Sequence, residues 1–361
     1  KVNIFTGLRL DSGSIVTGQD TLIKFNFIDL KYNIWGLLDH RILLDHIVIS
    51  SPVINLKKVK DSTDNLIWNF SRLFSSSEES DTSASAFDWD IAVNKFKIEN
   101  GFIRTMGNIN DTAVFTEEQI QTMNDVFDPE NFLAEDLNME LDGKYFRDSK
   151  NLSLKNLSFK SNSGFSINSL MLDADIDIKN SKTVVSGLVL ETERSKIFIR
   201  KVVLSEFNPF DSVTFKNFKE KELDADINIE KINFKDISFF LPELSLPDSS
   251  AGLILKAKGK YGDIDISELK LTLPNSLVDI KGKLRNLDEP DSIYLDLAVN
   301  DLNVLTGDIE KVFTSSDIDL SPLGRVTGNL TFTGTFEKFF SRYELYTGSG
   351  NVIGFADLNL N

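Results

Sequence analysis

Cysteine is absent from this 361-residue chain, which excludes disulfides, thiolate metal sites and cysteine nucleophiles. Zero cysteine is compatible with any redox compartment, an oxidising bacterial periplasm included. Histidine is nearly absent too: only His40 and His46 offer an imidazole, so the usual proton-transfer side chain occurs in one short stretch. Tryptophan and tyrosine are scarce, at 3 and 6 residues against 28 phenylalanines, so the aromatic content is apolar rather than amphipathic. A sugar-binding platform or a paratope more often favours Tyr and Trp. A basic surplus is also lacking. With 39 Lys+Arg against 55 Asp+Glu the formal net charge is −16, which argues against nucleic acid as a partner. No stretch reaches the roughly 18 uninterrupted apolar residues of a membrane-spanning helix. No signal peptide is visible, and no G-x-S-x-G elbow, phosphate-binding glycine loop or dinucleotide fingerprint occurs. The expectation is a protein that is not an enzyme and carries no cofactor. It starts at Lys1 directly in strand-like sequence and stops at FADLNLN in mid-alternation, as a segment of a longer chain would.

What the chain has is alternation. Hydrophobic residues at 41% and charged residues at 26% fit a folded chain. Apolar and polar positions take turns with period two, as in strands with one apolar face. In SLMLDADIDIKN, Leu170, Leu172, Ala174, Ile176 and Ile178 share one parity, while Met171, Asp173, Asp175 and Asp177 take the other. Leu223, Ala225, Ile227 and Ile229 alternate likewise with Asp224, Asp226, Asn228 and Glu230. The parity flips at Lys231, at Ser51-Pro52 and around Glu268, where bulges or bends are expected. Ile264 and Ile266 lead to Leu269, Leu271 and Leu273; Val278 and Ile280 pass through Gly282 to Leu284. Ile293, Leu295, Leu297 and Val299 follow, then Val326, Leu330, Phe332 and Phe336. Roughly 18 such runs predict an all-β protein, and their loose modular recurrence an elongated, curved, antiparallel-rich sheet with a few short helices.

Helices are expected over 65–74 (NLIWNFSRLF, capped by Asp64 or Asn65), 116–127 (a Thr116…Gln119 capping box), 235–242 and 302–313. Turns are expected at Asn100-Gly101, Asp142-Gly143, Asn162-Ser163-Gly164 and Tyr261-Gly262-Asp263, and a loop over the Ser-rich tract 75–86.

Candidate sites are few. His40 and His46, each preceded by an aspartate, would lie about 20 Å apart on a strand at ~3.3 Å per residue, too far for one metal ion. Asp173, Asp175 and Asp177 match three positions of a calcium loop, but Ile178 stands where glycine is required and Val184 where the bidentate glutamate belongs. They read as the solvent face of a strand, and no metal site is expected. Fifty-five acidic residues make chance carboxylate pairs common, and none is singled out. Five N-x-[ST] sequons, at Asn69, Asn110, Asn151, Asn156 and Asn329, are close to accident in this composition. The apolar face itself survives. Periodicity alone suits an ordinary sandwich core, which needs two sheets that cover each other. A single curved sheet would instead expose an apolar trough, and such a surface normally binds something.

Two regions resemble a known family. IWGLLDHRILLDHIVISSPVINLKK, then NLIWNFSRLF and FDWDIAVNKFKIENGFIR, is similar to the N-terminal region of AsmA-like proteins, through Ile47, Ile49, Pro52, Ile54, Leu56, Asn65, Leu66, Ile98, Asn100, Gly101 and Phe102. The stretch from Leu223 to Phe355 resembles the β-repeat of AsmA and of TamB, the translocation and assembly module protein. It does so through Gly259, Gly262, Ile266, Leu269, Leu271, Gly282, Leu284, Leu302, Gly324, Gly328 and Gly334. The resemblance covers most of the chain. It implies an AsmA-like region over 1–135, a middle groove region over 136–245 and a β-repeat region over 246–361, continuous with one another. It further implies a bacterial periplasmic protein anchored to the inner membrane by an N-terminal helix outside this chain, whose taco-like groove carries phospholipid acyl chains between the membranes. An outer-membrane barrel protein is the second partner the family implies, in outer-membrane protein assembly. A scaffolding β-protein with a closed core and no lipid is the alternative from another class. The expected groove lining is Leu170, Leu172, Ile176, Ile178, Leu223, Ile227, Ile229, Ile266, Leu271, Ile280, Leu295 and Leu297.

Overall fold

A computed structural model describes the chain except residues 1, 4, 19, 62–63, 74–88, 108–125, 162–163, 210–219, 243–245, 247, 288, 290–291, 313–318 and 361. The fold is all-β. Twenty strands, two short α-helices and three 3-10 helices make up its regular structure among the described residues. No helix among them is long and apolar enough to cross a membrane. The chain divides into two compact units. The first comprises Lys1–Asp175, Leu190–Glu193 and Ser238–Glu243; the second comprises Ile176–Val189, Arg194–Ile237 and Leu244–Asn361. Strands β10 (Ser166–Asp177) and β11 (Lys182–Thr192) contain residues of both.

In the first unit β1 (Val2–Asn3), β2 (Gly7–Thr17), β3 (Asp20–Asn33) and β4 (Arg41–Ser50) pair in sequence, all antiparallel. Order then breaks. The long β7 (Asp90–Met106) runs parallel to β4 and, further along, parallel to β5 (Val53–Lys60). One side of β7 is thus served by two strands, because Ser51-Pro52 interrupts what would otherwise be one. Ser51 takes φ 46° and its N–H donates to the Glu99 carbonyl at 2.7 Å, while Phe102 N–H donates to the Pro52 carbonyl at 2.7 Å. Both hydrogen bonds splice the kink into the sheet, and Pro52 is fully buried there. On its other side β7 pairs with β8 (Leu133–Tyr145), which pairs with β9 (Ser149–Ser161). Leu22, Ile98, Ala134 and Leu137 are buried in this unit. So are Phe165 and Phe239, whose rings stack at 4.8 Å beside Phe127 and Phe240.

Several expectations need correction here. Asn100-Gly101 is a bulge inside β7, not a turn: Asn100 takes φ 50° and the register to β8 shifts at this point. Asp142-Gly143 is continuous strand within β8. The helix expected over 65–74 is instead the short strand β6 (Leu66–Trp68) followed by a 3-10 helix, Asn69–Leu73. Asn69 explains the preference. Its side chain is completely buried, accepts from Lys57 N–H at 3.2 Å and donates to the Asn55 carbonyl at 2.9 Å, which ties the segment to β5 as a strand neighbour. The expected helix over 116–127, save its last two residues, and the tract 75–86 lie outside the described residues.

The second unit is regular. Strands β12 (Lys196–Ser205), β13 (Glu222–Asn233), β14 (Ser250–Lys260), β15 (Asp263–Leu273), β16 (Ser276–Arg285), β17 (Tyr294–Leu305), β18 (Arg325–Gly334), β19 (Lys338–Thr347) and β20 (Gly350–Asn359) each pair antiparallel with the next. Tyr261-Gly262 forms the β14–β15 turn as expected. Register shifts recur in every ladder from β12–β13 to β17–β18, including the expected flips near Lys231 and Glu268. Each adds local right-handed twist and bends its strand. The helix expected over 235–242 is α1 (Phe234–Phe240). The one expected over 302–313 starts later, as α2 (Thr306–Val312), because Leu302 still pairs with Gly328 in the β17–β18 ladder.

The two helices reveal an internal repeat that the sequence hides. Each follows the second strand of a four-strand module, β12 to β15 and β16 to β19, and each buries an aspartate in its first turn. Asp236 accepts from Ser195 Oγ at 2.6 Å, and that hydroxyl accepts from Asn233 N–H at 2.9 Å. Asp308 accepts from Ser276 Oγ at 2.8 Å, and that hydroxyl accepts from Leu305 N–H at 3.0 Å. In both modules a serine at the head of the first strand and an aspartate after the second strand clamp the same corner. Only the third partner differs: the Arg194 guanidinium reaches Asp236 at 2.8 Å, whereas the Asn275 backbone N–H reaches Asp308 at 2.8 Å.

Candidate functional site

Pairing register decides which side chains share a face, and in the second unit it aligns the apolar parity of every strand. Ile199, Ile227, Leu255, Leu269, Ile280, Val299, Leu330 and Tyr343 form one cross-strand row from β12 to β19. One step further along each strand, two residues except at the β17 bulge, Ile197, Ile229, Leu253, Leu271, Val278, Leu302, Gly328 and Leu345 form the next. On the other side of the first row lie Ala225, Ala257, Ile266, Gly282, Leu297 and Phe332, then Leu223, Gly259, Ile264, Leu284, Leu295 and Gly334. At ~4.8 Å per strand and ~6.8 Å per pair of residues, this face measures roughly 34 by 20 Å. The bulges keep it aligned: without the shift between Ile266 and Leu269, Ile264 and Ile266 of β15 would lie on the face opposite Leu269 and Leu271.

Burial tells how this face is covered. Ala225, Ala257, Ile266 and Val299 are at most 9% exposed, whereas Leu271 is 37% exposed. Leu223, Ile227, Ile229, Ile280, Leu295 and Leu297 are half-buried. The inner face of a sandwich would be sealed along its length, since the second sheet excludes water from every inward position. Here neighbouring side chains shield one another and remain in reach of solvent. Gly282 marks a close approach: it takes φ 146°, and a Cβ there would stand 2.0 Å from the Asp296 carbonyl oxygen of the next strand.

The opposite face is charged and largely self-neutralised. Lys258 pairs with Asp224 at 2.9 Å, Arg200 with Asp226 at 2.7 Å, Lys256 with Glu268 at 2.8 Å and Arg285 with Asp265 at 2.6 Å. The hydrogen bond from Arg285 holds the Asp265 carboxyl below its ordinary range, and the Lys256 ammonium does the same for Glu268. An open cavity of about 1110 Å³ is bordered by Lys256, Lys258, Lys281, Lys283 and Arg342 of this face, with Ala298 and Thr331. Of the twelve expected lining residues only Ile266 and Leu297 border it. Residues of the charged parity make up most of its border, and Ala225, Ala257, Ile266, Gly282 and Leu297 of the apolar face complete it.

The register brings eight of the twelve expected residues onto one face: Leu223, Ile227, Ile229, Ile266, Leu271, Ile280, Leu295 and Leu297. Leu170 and Leu172 lie on β10 in the first unit, half-buried and alternating with exposed Met171. Ile176 and Ile178 belong to the second unit, Ile176 near the end of β10 and Ile178 just past it, both half-buried. Sequence reasoning missed β12. Its Ile197 and Ile199 sit on one parity and Val202 and Leu204 on the other, and only the register shift at Arg200 shows that all four share the face. Leu253, Leu255 and Tyr343 were missed as well; the alternation in LILKAKGK was the available signal. The imidazoles do not converge. His40 takes a left-handed conformation with its ring 5.3 Å from Trp89, and His46 Nε2 lies 3.1 Å from Asp29 Oδ2. Asp173 is paired with Ser153, and Asp177 accepts from the Asn180 amide at 2.7 Å, which lowers its pKa.

Comparison of the chain with family models, with curated proteins and with solved structures finds no match.

Proposed function

We propose that the second unit binds the acyl chains of lipids along its apolar face and that the protein carries phospholipid between membranes. The supporting observation is that this face spans eight strands and that most of its side chains stay half-buried instead of sealed. Exposing an acyl chain of ~16 methylenes to water costs on the order of 13 kcal/mol at ~0.8 kcal/mol each. A continuous apolar surface lowers that cost by replacing water along the tail, and no bond is made or broken. Half-burial also weighs against the closed-core scaffold. The resemblance to AsmA-like and TamB proteins supports the same reading, and with it a periplasmic location and an inner-membrane anchor outside this chain.

The test is mass spectrometry of lipid extracted from the purified chain, beside Ile227→Asp and Leu271→Asp. The expected result is co-purified phospholipid in the parent and its loss in both variants, with the circular dichroism spectrum unchanged. A parent free of acyl lipid, or folded variants that retain it in full, would overturn the proposal.

A further inference from the structure

One end of the first unit's sheet carries an apolar tip. The 3-10 helix Ile34–Asp39 joins β3 to β4 and presents Trp35 at 67%, Leu37 at 47% and Leu38 at 76% exposure. Phe5, 63% exposed, comes to the same end, since Tyr32 N–H donates to the neighbouring Thr6 carbonyl. Tyr145 at the end of β8, 46% exposed, joins them through the ladders Arg41 to Asp90 and Ile91 to Tyr145. The tip is held open by its own hydrogen bonds. Asn33 Oδ1 accepts from Trp35 N–H at 3.0 Å, left-handed His40 closes the turn through its N–H to Leu37 O, and buried Gly36 lets the turn lie against Leu43. These side chains are therefore displayed on a fixed frame.

The charge around the tip departs from that of the chain. Among residues 5–7, 31–41, 89–90 and 144–150, Lys31, Arg41, Lys144, Arg147 and Lys150 stand against Asp39, Asp90 and Asp148, a cationic surplus in a chain of net charge −16. Lys150 stacks its ammonium over the Tyr145 ring at 4.1 Å, and Arg41 lies 3.8 Å from Asp90. Trp and Tyr bodies with polar tips, leucines that reach beyond them and flanking Lys/Arg are the composition that settles at a bilayer interface. Cations beside it complement anionic headgroups and are sensitive to salt.

We infer that this end of the first unit docks on the surface of an anionic lipid bilayer, with Trp35, Leu37, Leu38 and Phe5 entering the headgroup region and the cations ringing the contact. The site is distinct from the acyl-binding face, and lipid extraction reports on that face alone. The test is co-sedimentation of the full chain with vesicles of phosphatidylcholine and phosphatidylglycerol in equal parts, and with phosphatidylcholine alone. Binding is expected to the mixed vesicles, to weaken with added salt, and to fall roughly tenfold or more in Trp35→Ser/Leu38→Ser. Both positions are exposed, so the thermal midpoint should not move. A Trp68→Phe/Trp89→Phe chain keeps Trp35 as its sole tryptophan, and its emission should shift to the blue on the mixed vesicles. No binding to the mixed vesicles, equal binding by the double variant, or self-association lost in that variant without any vesicle contact would each overturn the inference.

Discussion

The two units are made of the same alternating strands, yet they are organised by different rules. In the second, every strand from β12 to β20 pairs with its successor, so local alternation and global topology coincide. In the first, β7 takes two parallel partners that precede it in the chain, and parallel pairing requires long crossovers that alternation does not encode. The lesson is that period two assigns a residue to a face, while partners are assigned by turns, kinks and buried polar clamps. Those clamps are where the comparison is broken most severely.

The largest effect is expected at the serine–aspartate clamps of the second unit. Asp308 is 3% exposed and accepts from Ser276 Oγ and Asn275 N–H. Asp308→Ala leaves the buried Ser276 hydroxyl and the Asn275 N–H without their anion and should cost about 3 kcal/mol, read from urea unfolding. Asp236→Ala should cost a similar amount, because the repeat places it in the same corner with Ser195 and Arg194. Asn69→Ala in the first unit removes a neutral clamp, with one backbone donor and one acceptor, and should cost nearer 2 kcal/mol. Equal losses at Asp308 and Asn69 would show that charge adds nothing to the corner.

Next come the glycines. Gly282→Ala forces a Cβ to within 2.0 Å of the Asp296 carbonyl at φ 146°, so the sheet must part there, at a cost of about 2 kcal/mol or more. Gly354→Ala on β20 meets nothing nearer than 3.6 Å, takes no unusual φ, and should change stability by about 0.5 kcal/mol or less. Thermal midpoints of the two variants separate a structural glycine on β16 from a spectator on β20.

How much of this was legible follows from the same physics. The strands, the parity flips and eight of the apolar-face residues were readable because each is a local property of alternation, as at Ile227 and Ile229. Asn100-Gly101 and Asp142-Gly143 misled, since the dipeptides that make tight turns also make bulges, and only a neighbour such as β8 decides between them. Asn69 looked like a helical residue because its burial against Asn55 and Lys57 is a tertiary fact. The clamp escaped notice because its serine and aspartate are 41 residues apart in one module and 32 in the other, with no fixed period. The aromatic tip at Trp35 read as part of a family-like apolar run; only its exposure separates it from core.

The smallest effect concerns pH, and on the acid side it too divides the units. In the second, Asp265 and Glu268 are held below their ordinary range by hydrogen bonds from Arg285 and Lys256, and Asp319 by Ser321. A carboxyl whose folded-state pKa is lowered stabilises the fold above its unfolded value, and that contribution disappears as pH falls through the lowered value. In the first unit the resolved shifts are of Lys97 and Lys160, raised by hydrogen bonds to Glu99 and Asp136. Their contribution is complete below the ordinary lysine value and disappears as pH rises through the raised one. Acidification below about pH 4 should therefore lower the second unit's unfolding transition before the first's, whereas alkalinity above about pH 10 should reach both, the first through these two lysines and the second through Lys256, raised by its hydrogen bond to Glu268. All these groups keep contact with solvent, so the shifts in midpoint should be small and should shrink with salt. Calorimetry across pH at low and high ionic strength reads both arms. Acid sensitivity that persists in high salt would count against these paired surface charges as its origin.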